Sequence, residues 1–118
     1  MEQLRKLNRI LKALSDEGRL RIVFLLNKKK GLCVNEIREI IDLSQPTISS
    51  HLKVLENAGL IVNKRDGIWV NYSLNPEMGP RVERILKDSF YLMESSRKVK
   101  EDIKKLGTTD RKLICKGA

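Results

Sequence analysis

The chain has 118 residues, enough for one compact domain with its own core and too few for a second, catalytic one. Lys and Arg number 24 against 15 Asp and Glu, a formal charge of +9 that favours an anionic partner. No apolar run approaches the roughly 20 residues of a spanning helix, residues 1–8 lack the apolar core of a signal peptide, and aromatics at 4% are too few for single-strand stacking platforms; a cytoplasmic protein that meets duplex DNA is expected.

Leu4, Leu7, Ile10, Leu11 and Leu14 recur at helical spacing and predict a first helix with one apolar stripe. Ser15 is placed to cap a second helix over residues 16–27, with acids in its first turn and Leu20, Val23, Phe24 and Leu26 turned inward. Lys28, Lys29 and Lys30 then fall near the last carbonyls, and Gly31 provides the exit. Residues 32–34 read as a short extended piece leading to Asn35, which is placed to cap a third helix carrying Ile37, Ile40 and Ile41.

Residues 44–55 carry the strongest functional signal. Ser44 suits an N-cap, Pro46 is tolerated in the first turn, and Ile48, Leu52 and Leu55 bury one stripe. The opposite face holds Gln45, Thr47, Ser49, Ser50 and Lys53, mostly short neutral groups that donate and accept hydrogen bonds, as base edges in a major groove require. The turn joining this helix to the third, at residues 42–44, is brief enough for a helix-turn-helix. The predicted DNA contacts are therefore Ser44, Gln45, Thr47, Ser49, Ser50, His51 and Lys53. His51 has three readings beside Leu52: it faces the core, donates to a phosphate, or links the reading head to a sensing site. The bland reading of the whole stretch is a core helix with a small polar exterior; the net charge and the hairpin that follows favour DNA.

Two strand-like runs at residues 60–65 and 68–74 flank Asp66-Gly67, a two-residue hairpin signal, with Gly59 closing the helix before them. Lys64 and Arg65 put cations near the tip, where a wing would meet phosphates or the minor groove. Trp69 and Tyr72 are read as hairpin packing. After Pro80, the positions Val82, Ile85, Ser89, Leu92, Ser96, Val99, Ile103 and Leu106 alternate by three and four, a coiled-coil-like seam. The expectation is a homodimer through Leu4, Leu7 and Leu11 of the first helix and Val82, Ile85, Ser89, Leu92, Ser96 and Val99 of the last. Residues 1–106 would form the DNA-binding and dimerisation domain and residues 107–118 a flexible tail.

Cys33 and Cys115 lie far apart, so thiol chemistry between them would be regulatory rather than a structural framework. Cys33 also has an ordinary reading as a small buried hydrophobe. A Ser-His-Asp arrangement, a phosphate-cradling glycine loop and paired acids beside metal ligands are all missing from the sequence, and an enzyme is not expected. The fold class that results is mainly α with one β-hairpin, an α+β winged helix-turn-helix.

With these elements placed, the chain resembles the ArsR/SmtB family of dimeric repressors over residues 11–106. The resemblance rests on LSDEGRLRI at residues 14–22, GLCVNEI at 31–37, LSQPTISSHL at 43–52 and GIWVNYSL at 67–74. It implies a winged helix dimer that represses from an operator, with half-sites about one helical turn apart, and leaves when an inducer, often a metal or metalloid, binds. The arsenic-sensing branch carries a Cys-Val-Cys box before the third helix and a further cysteine one turn on. Cys33 matches the first position, while Asn35 and Arg38 occupy the others. A trigonal thiolate site for arsenite, antimonite or another soft metal ion would need Cys115 and a third ligand from elsewhere. Residues 81–106 contain no His, so the family's other site, on the last helix, is not expected for zinc or nickel. The competing function is a winged-helix DNA binder with the same head that responds to another signal or to none, in the latter case an architectural binder.

Overall fold

The computed structural model describes residues 2–108. Six helices and one hairpin follow in the order α1 (Glu2–Leu14), α2 (Glu17–Lys28), α3 (Val34–Ile40), α4 (Gln45–Asn57), β1 (Ile61–Asp66), β2 (Trp69–Leu74), α5 (Pro80–Met93) and α6 (Arg97–Thr108). The chain is mainly α with a β-hairpin, as its periodicities predict.

Helix α2 is the hub of the packing. Ile22, Val23, Phe24, Leu25 and Leu26 are all buried, so it is apolar on nearly every side and is covered by α1, α4, β2 and α6. Ile37, Ile40, Ile41, Ile48, Leu52, Leu55 and Leu60 complete a core between α3, α4 and the start of the hairpin. Phe24 and Phe90 meet edge to face at 5.4 Å between ring centres and tie α5 to α2.

Two helix caps differ from the sequence reading. Asp16, not Ser15, caps α2, its carboxylate accepting the amide of Arg19 at 3.0 Å. Ser15 instead turns back and donates to the carbonyl of Lys12 at 2.7 Å, closing α1. Helix α3 begins at Val34, so its N-cap is Cys33 rather than Asn35, and Glu36 supplies the reciprocal bond by accepting the Cys33 amide at 3.0 Å. A cap is decided by which side chain reaches the free amides, and neighbouring candidates look alike in sequence.

The hairpin is antiparallel, with Ile61 opposite Leu74 and Asp66 opposite Trp69. Its two-residue loop is therefore Gly67-Ile68, one position later than Asp66-Gly67. Gly67 takes φ +64 at the first loop position, while among the described residues no non-glycine has positive φ. That pattern matches a turn needing glycine first, and it lifts Ile68 out of the second strand to the tip, 85% exposed. Leu32 exchanges backbone hydrogen bonds with Tyr72, 3.1 Å and 2.8 Å, pinning the segment before α3 to the hairpin.

The largest departure lies at the C-terminal end. The predicted continuous seam breaks at residues 94–96, and α6 folds back onto α2 and α3 of its own chain. Ser96 starts the second helix, its hydroxyl accepting the amide of Val99 at 3.4 Å. Asp102 is buried on the inner face of α6 and receives two bonds from Arg21 of α2, 2.8 Å and 2.9 Å. Such a fork fixes the docking, because neither charge has water to return to without separating the helices. Val82 and Val99, assigned to a dimer seam, are buried in the protomer's own core, and Ser96 is occupied as a cap. Helix α6 runs through Gly107 to Thr108; residues 109–118, Cys115 among them, lie outside the described residues.

Candidate nucleic-acid interface

Helix α4 separates its two faces as its sequence requires. Ile48, Leu52 and Leu55 are buried against the core, and their burial contributes about 1.5–3 kcal/mol each. Gln45, Ser49, Ser50 and Lys53 are exposed together on the other side. Residues 45, 49 and 53 follow at four-residue steps, so one edge of the helix presents an amide, a hydroxyl and an ammonium in line. Short side chains here let the helix backbone approach a groove floor closely.

Ser44 and Thr47 stand at the N-terminal end in a different condition. The Ser44 hydroxyl accepts the Thr47 amide at 3.3 Å, and the two hydroxyl oxygens are 2.9 Å apart. Ser44 is thus committed to capping, although it remains exposed, and Thr47 is half-buried beside it. His51 departs further from the expected set. Its side chain is only 13% exposed, with Nδ1 at 3.3 Å from the Arg19 guanidinium and Nε2 at 3.6 Å from the Asp16 carboxylate. It lies on the flank of α4 toward α2, four residues after Thr47, and does not point with Gln45 and Ser49. Both ring nitrogens of His51 therefore face groups of the chain itself.

The hairpin lies beside this helix. Asn63 on β1 donates to Glu56 on α4, and Asn75 after β2 donates to the carbonyl of Gly59 at 2.9 Å, so both ends of the hairpin are tied to the recognition helix. Gly59 has φ +78, the left-handed conformation that reverses the chain after α4. Lys64 and Arg65 are exposed on β1 near the tip, with Ile68 at the tip itself.

Between wing and reading helix is a cavity of about 160 Å3 lined by Cys33, Val34, Asn35, Gln45, Ile68, Trp69 and Val70. Cys33, the one cysteine among the described residues, is buried there and is not a free thiol. Arg38 is exposed on α3. Among the described residues no three His, Cys, Asp or Glu side chains gather as a metal cluster would.

Arg19, Asp16 and Gly18 escaped the sequence reading as functional groups. Their signal was local: a glycine in the first turn of a helix is a poor helix former, and its presence points to close packing. A Cβ at Gly18 would stand 3.1 Å from His51 Nε2 and 3.2 Å from Asp16 Oδ1.

A brief turn joining two helices, an exposed hydrogen-bonding face on the second and a basic hairpin tied to its far end define a winged helix-turn-helix DNA-binding unit. Residues 16–62 match the model of the bacterial regulatory protein, arsR family. The arsenic resistance transcriptional regulator ArsR1 of Pseudomonas putida is 41% identical over 66% of this chain and 61% of its own length. The arsenical resistance operon repressor of Escherichia coli is 38% identical over 69% of each chain. The alignments thus span about three fifths and about seven tenths of those two relatives. Among solved structures, the homodimeric winged helix-turn-helix DNA-binding domain of a possible ArsR-family regulator from Mycobacterium bovis superposes with a TM-score of 0.67, at 25% identity over 81% of this chain and 85% of that one. The chain belongs to the ArsR family of bacterial regulatory proteins. It is a transcriptional regulator of that family and not an enzyme.

Proposed function

We propose that this protein is a cytoplasmic homodimeric repressor that reads operator DNA with Gln45, Thr47, Ser49 and Ser50 and grips phosphates with Lys53, Lys64 and Arg65. The single observation that carries this reading is the exposed line of residues 45, 49 and 53, backed by a fully buried stripe and flanked by the cationic hairpin. Described residues include no helix long and apolar enough to cross a membrane. The second copy is placed on α1, where Leu4, Leu7 and Leu11 remain exposed while Ile10, Ala13 and Leu14 face the core, with Leu92 of α5, 78% exposed, as the matching element. Ile85 and Ser89 are half-buried and would sit at the margin of that contact.

Release from the operator is assigned to Cys33 together with Cys115 in the reduced protein, by thiol modification or by a soft ion such as arsenite or antimonite. Two relatives are named for arsenic resistance. In support, Cys33 borders both the first residue of the recognition helix and the wing, so a change at its sulfur is felt by both DNA-contacting elements. A non-sensing architectural binder is the second reading, favoured by Asn35 and Arg38 in place of thiols.

One experiment decides between them. A duplex is enriched from a random pool by the reduced protein, and its affinity is followed during titration with arsenite, antimonite, cadmium and oxidants. Enrichment of a near-palindrome and loss of binding with one of these agents, abolished by Cys33→Ser, is the expected result. Enrichment with no response to any agent, in native or Cys33→Ser and Cys115→Ser proteins, leaves only the architectural binder.

A further inference from the structure

The buried flank of the recognition helix meets a cluster of four residues that connect it to the end of α1. Arg19 is its centre. Nε donates to the carbonyl of Ala13 at 2.7 Å and Nη2 to that of Lys12 at 3.3 Å, an oxygen that Ser15 also engages, so the guanidinium clasps the last turn of α1. Its remaining arm, Nη1, lies 3.3 Å from His51 Nδ1. A guanidinium has only donors, so Nδ1 must accept, and a neutral ring then carries its proton on Nε2, facing Asp16. Asp16 is itself held by the Arg19 amide, and Gly18 leaves no Cβ where the imidazole sits. Arg19 and His51 thus join three helices: α1 by its terminal carbonyls on Arg19, α2 by Arg19 and its Asp16 cap, and α4 by His51.

We propose that Asp16, Gly18, Arg19 and His51 form a positioning latch that fixes the recognition helix against α1 and thereby sets how sharply the protein distinguishes its operator from other DNA. The inference rests on the DNA-reading function proposed above. Base readout needs donors and acceptors placed within about 0.5 Å, because hydrogen bonds weaken steeply with distance and angle. Phosphate contacts from long cations tolerate more movement. Loosening α4 therefore erodes sequence discrimination before it erodes general affinity. Because α1 also carries the exposed Leu4, Leu7 and Leu11 face, the same latch ties each reading head to the surface assigned to the second copy.

The chain has a single histidine, so its ring nitrogens can be observed by 15N NMR without ambiguity. The expected spectrum shows a proton on Nε2 and an Nδ1 signal displaced by an accepted hydrogen bond. Arg19→Met should abolish that displacement. A native ring protonated on Nδ1, or one indifferent to Arg19→Met, overturns the latch.

The functional arm compares a duplex enriched by the native protein with a scrambled duplex of equal length. His51→Leu is expected to lose roughly tenfold or more in discrimination, with its salt dependence unchanged. His51→Asn, which keeps an acceptor opposite Arg19, should recover most of the loss. Gly18→Ala should reproduce the defect with every polar group intact. Equal losses on both duplexes with a shallower salt dependence would make His51 a phosphate contact, and undiminished discrimination in His51→Leu and Gly18→Ala would remove the latch. If the native protein enriches no sequence at all, the DNA-reading function falls and the latch with it. Should His51→Leu fail to fold, Gly18→Ala and the NMR signature decide.

Discussion

The recognition helix and the two C-terminal helices start from the same kind of sequence pattern and end in different places. In α4 the apolar residues at 48, 52 and 55 bury in the protomer, and the polar residues between them face out. In residues 82–106 an equally regular stripe was expected to face a second copy, yet Val82 and Val99 bury in the protomer while Leu92 stays exposed. Periodicity identifies which residues share a face. It does not say what that face meets, and for α4 the answer was constrained by the short turn before it, whereas the C-terminal stripe had freedom to bend at residues 94–96.

The buried pair between α2 and α6 tests that difference most severely. Asp102→Ala leaves Arg21 uncompensated in the interior and should cost about 3–5 kcal/mol in urea unfolding. A loss that vanished at low protein concentration would mean α6 belongs to an intermolecular seam after all. Leu52→Ala, on the buried face of α4, should cost about 2–5 kcal/mol of stability. Ser49→Ala on the opposite face should leave stability within about 0.5 kcal/mol but cost about 1–3 kcal/mol in binding to an enriched duplex. Comparable effects of the two on melting would show that the faces have been misassigned.

Substitutions on the C-terminal stripe divide in the same way. Val99→Lys should unfold the protein, whereas Leu92→Lys should keep the protomer's fold and shift sedimentation toward monomer, as should Leu7→Lys. A Leu92→Lys dimer indistinguishable from native would place the second copy elsewhere. Lys64→Ala should weaken all duplexes alike and reduce the salt slope by about 1. The smallest effect concerns the cap of α2. The amide of Arg19 holds the Asp16 carboxyl below its ordinary range, outweighing the opposing effect of partial burial, with the charge of Arg19 and the amide of Gly18 assisting. Because the folded value is lowered, the stabilisation is present above the ordinary aspartate range and disappears as pH falls through the folded value. The difference in melting between native and Asp16→Asn should therefore narrow in acid.

Much of the site was legible before any coordinates. Ser44 capping α4, Gly59 ending it, the basic hairpin after it and the buried Ile48-Leu52-Leu55 stripe all follow from chemistry within a few residues. Local rules failed at three places: Ser15 against Asp16, Asn35 against Cys33, and the hairpin loop displaced by one residue so that Ile68 sits at the tip. Each of these turns on backbone geometry that several sequences satisfy.

Residue types and their spacing by themselves determined the helix-turn-helix, the wing and the two faces of α4, because those depend on contacts between residues close in the chain. Only the tertiary structure decided that Arg21 would meet Asp102 across 81 positions, bending the C-terminal helices onto the body. It alone brought Arg19 to His51 across 32. Pairings at such separation are selected by which charges end up desolvated together, and that becomes defined only once the apolar core has closed around α2.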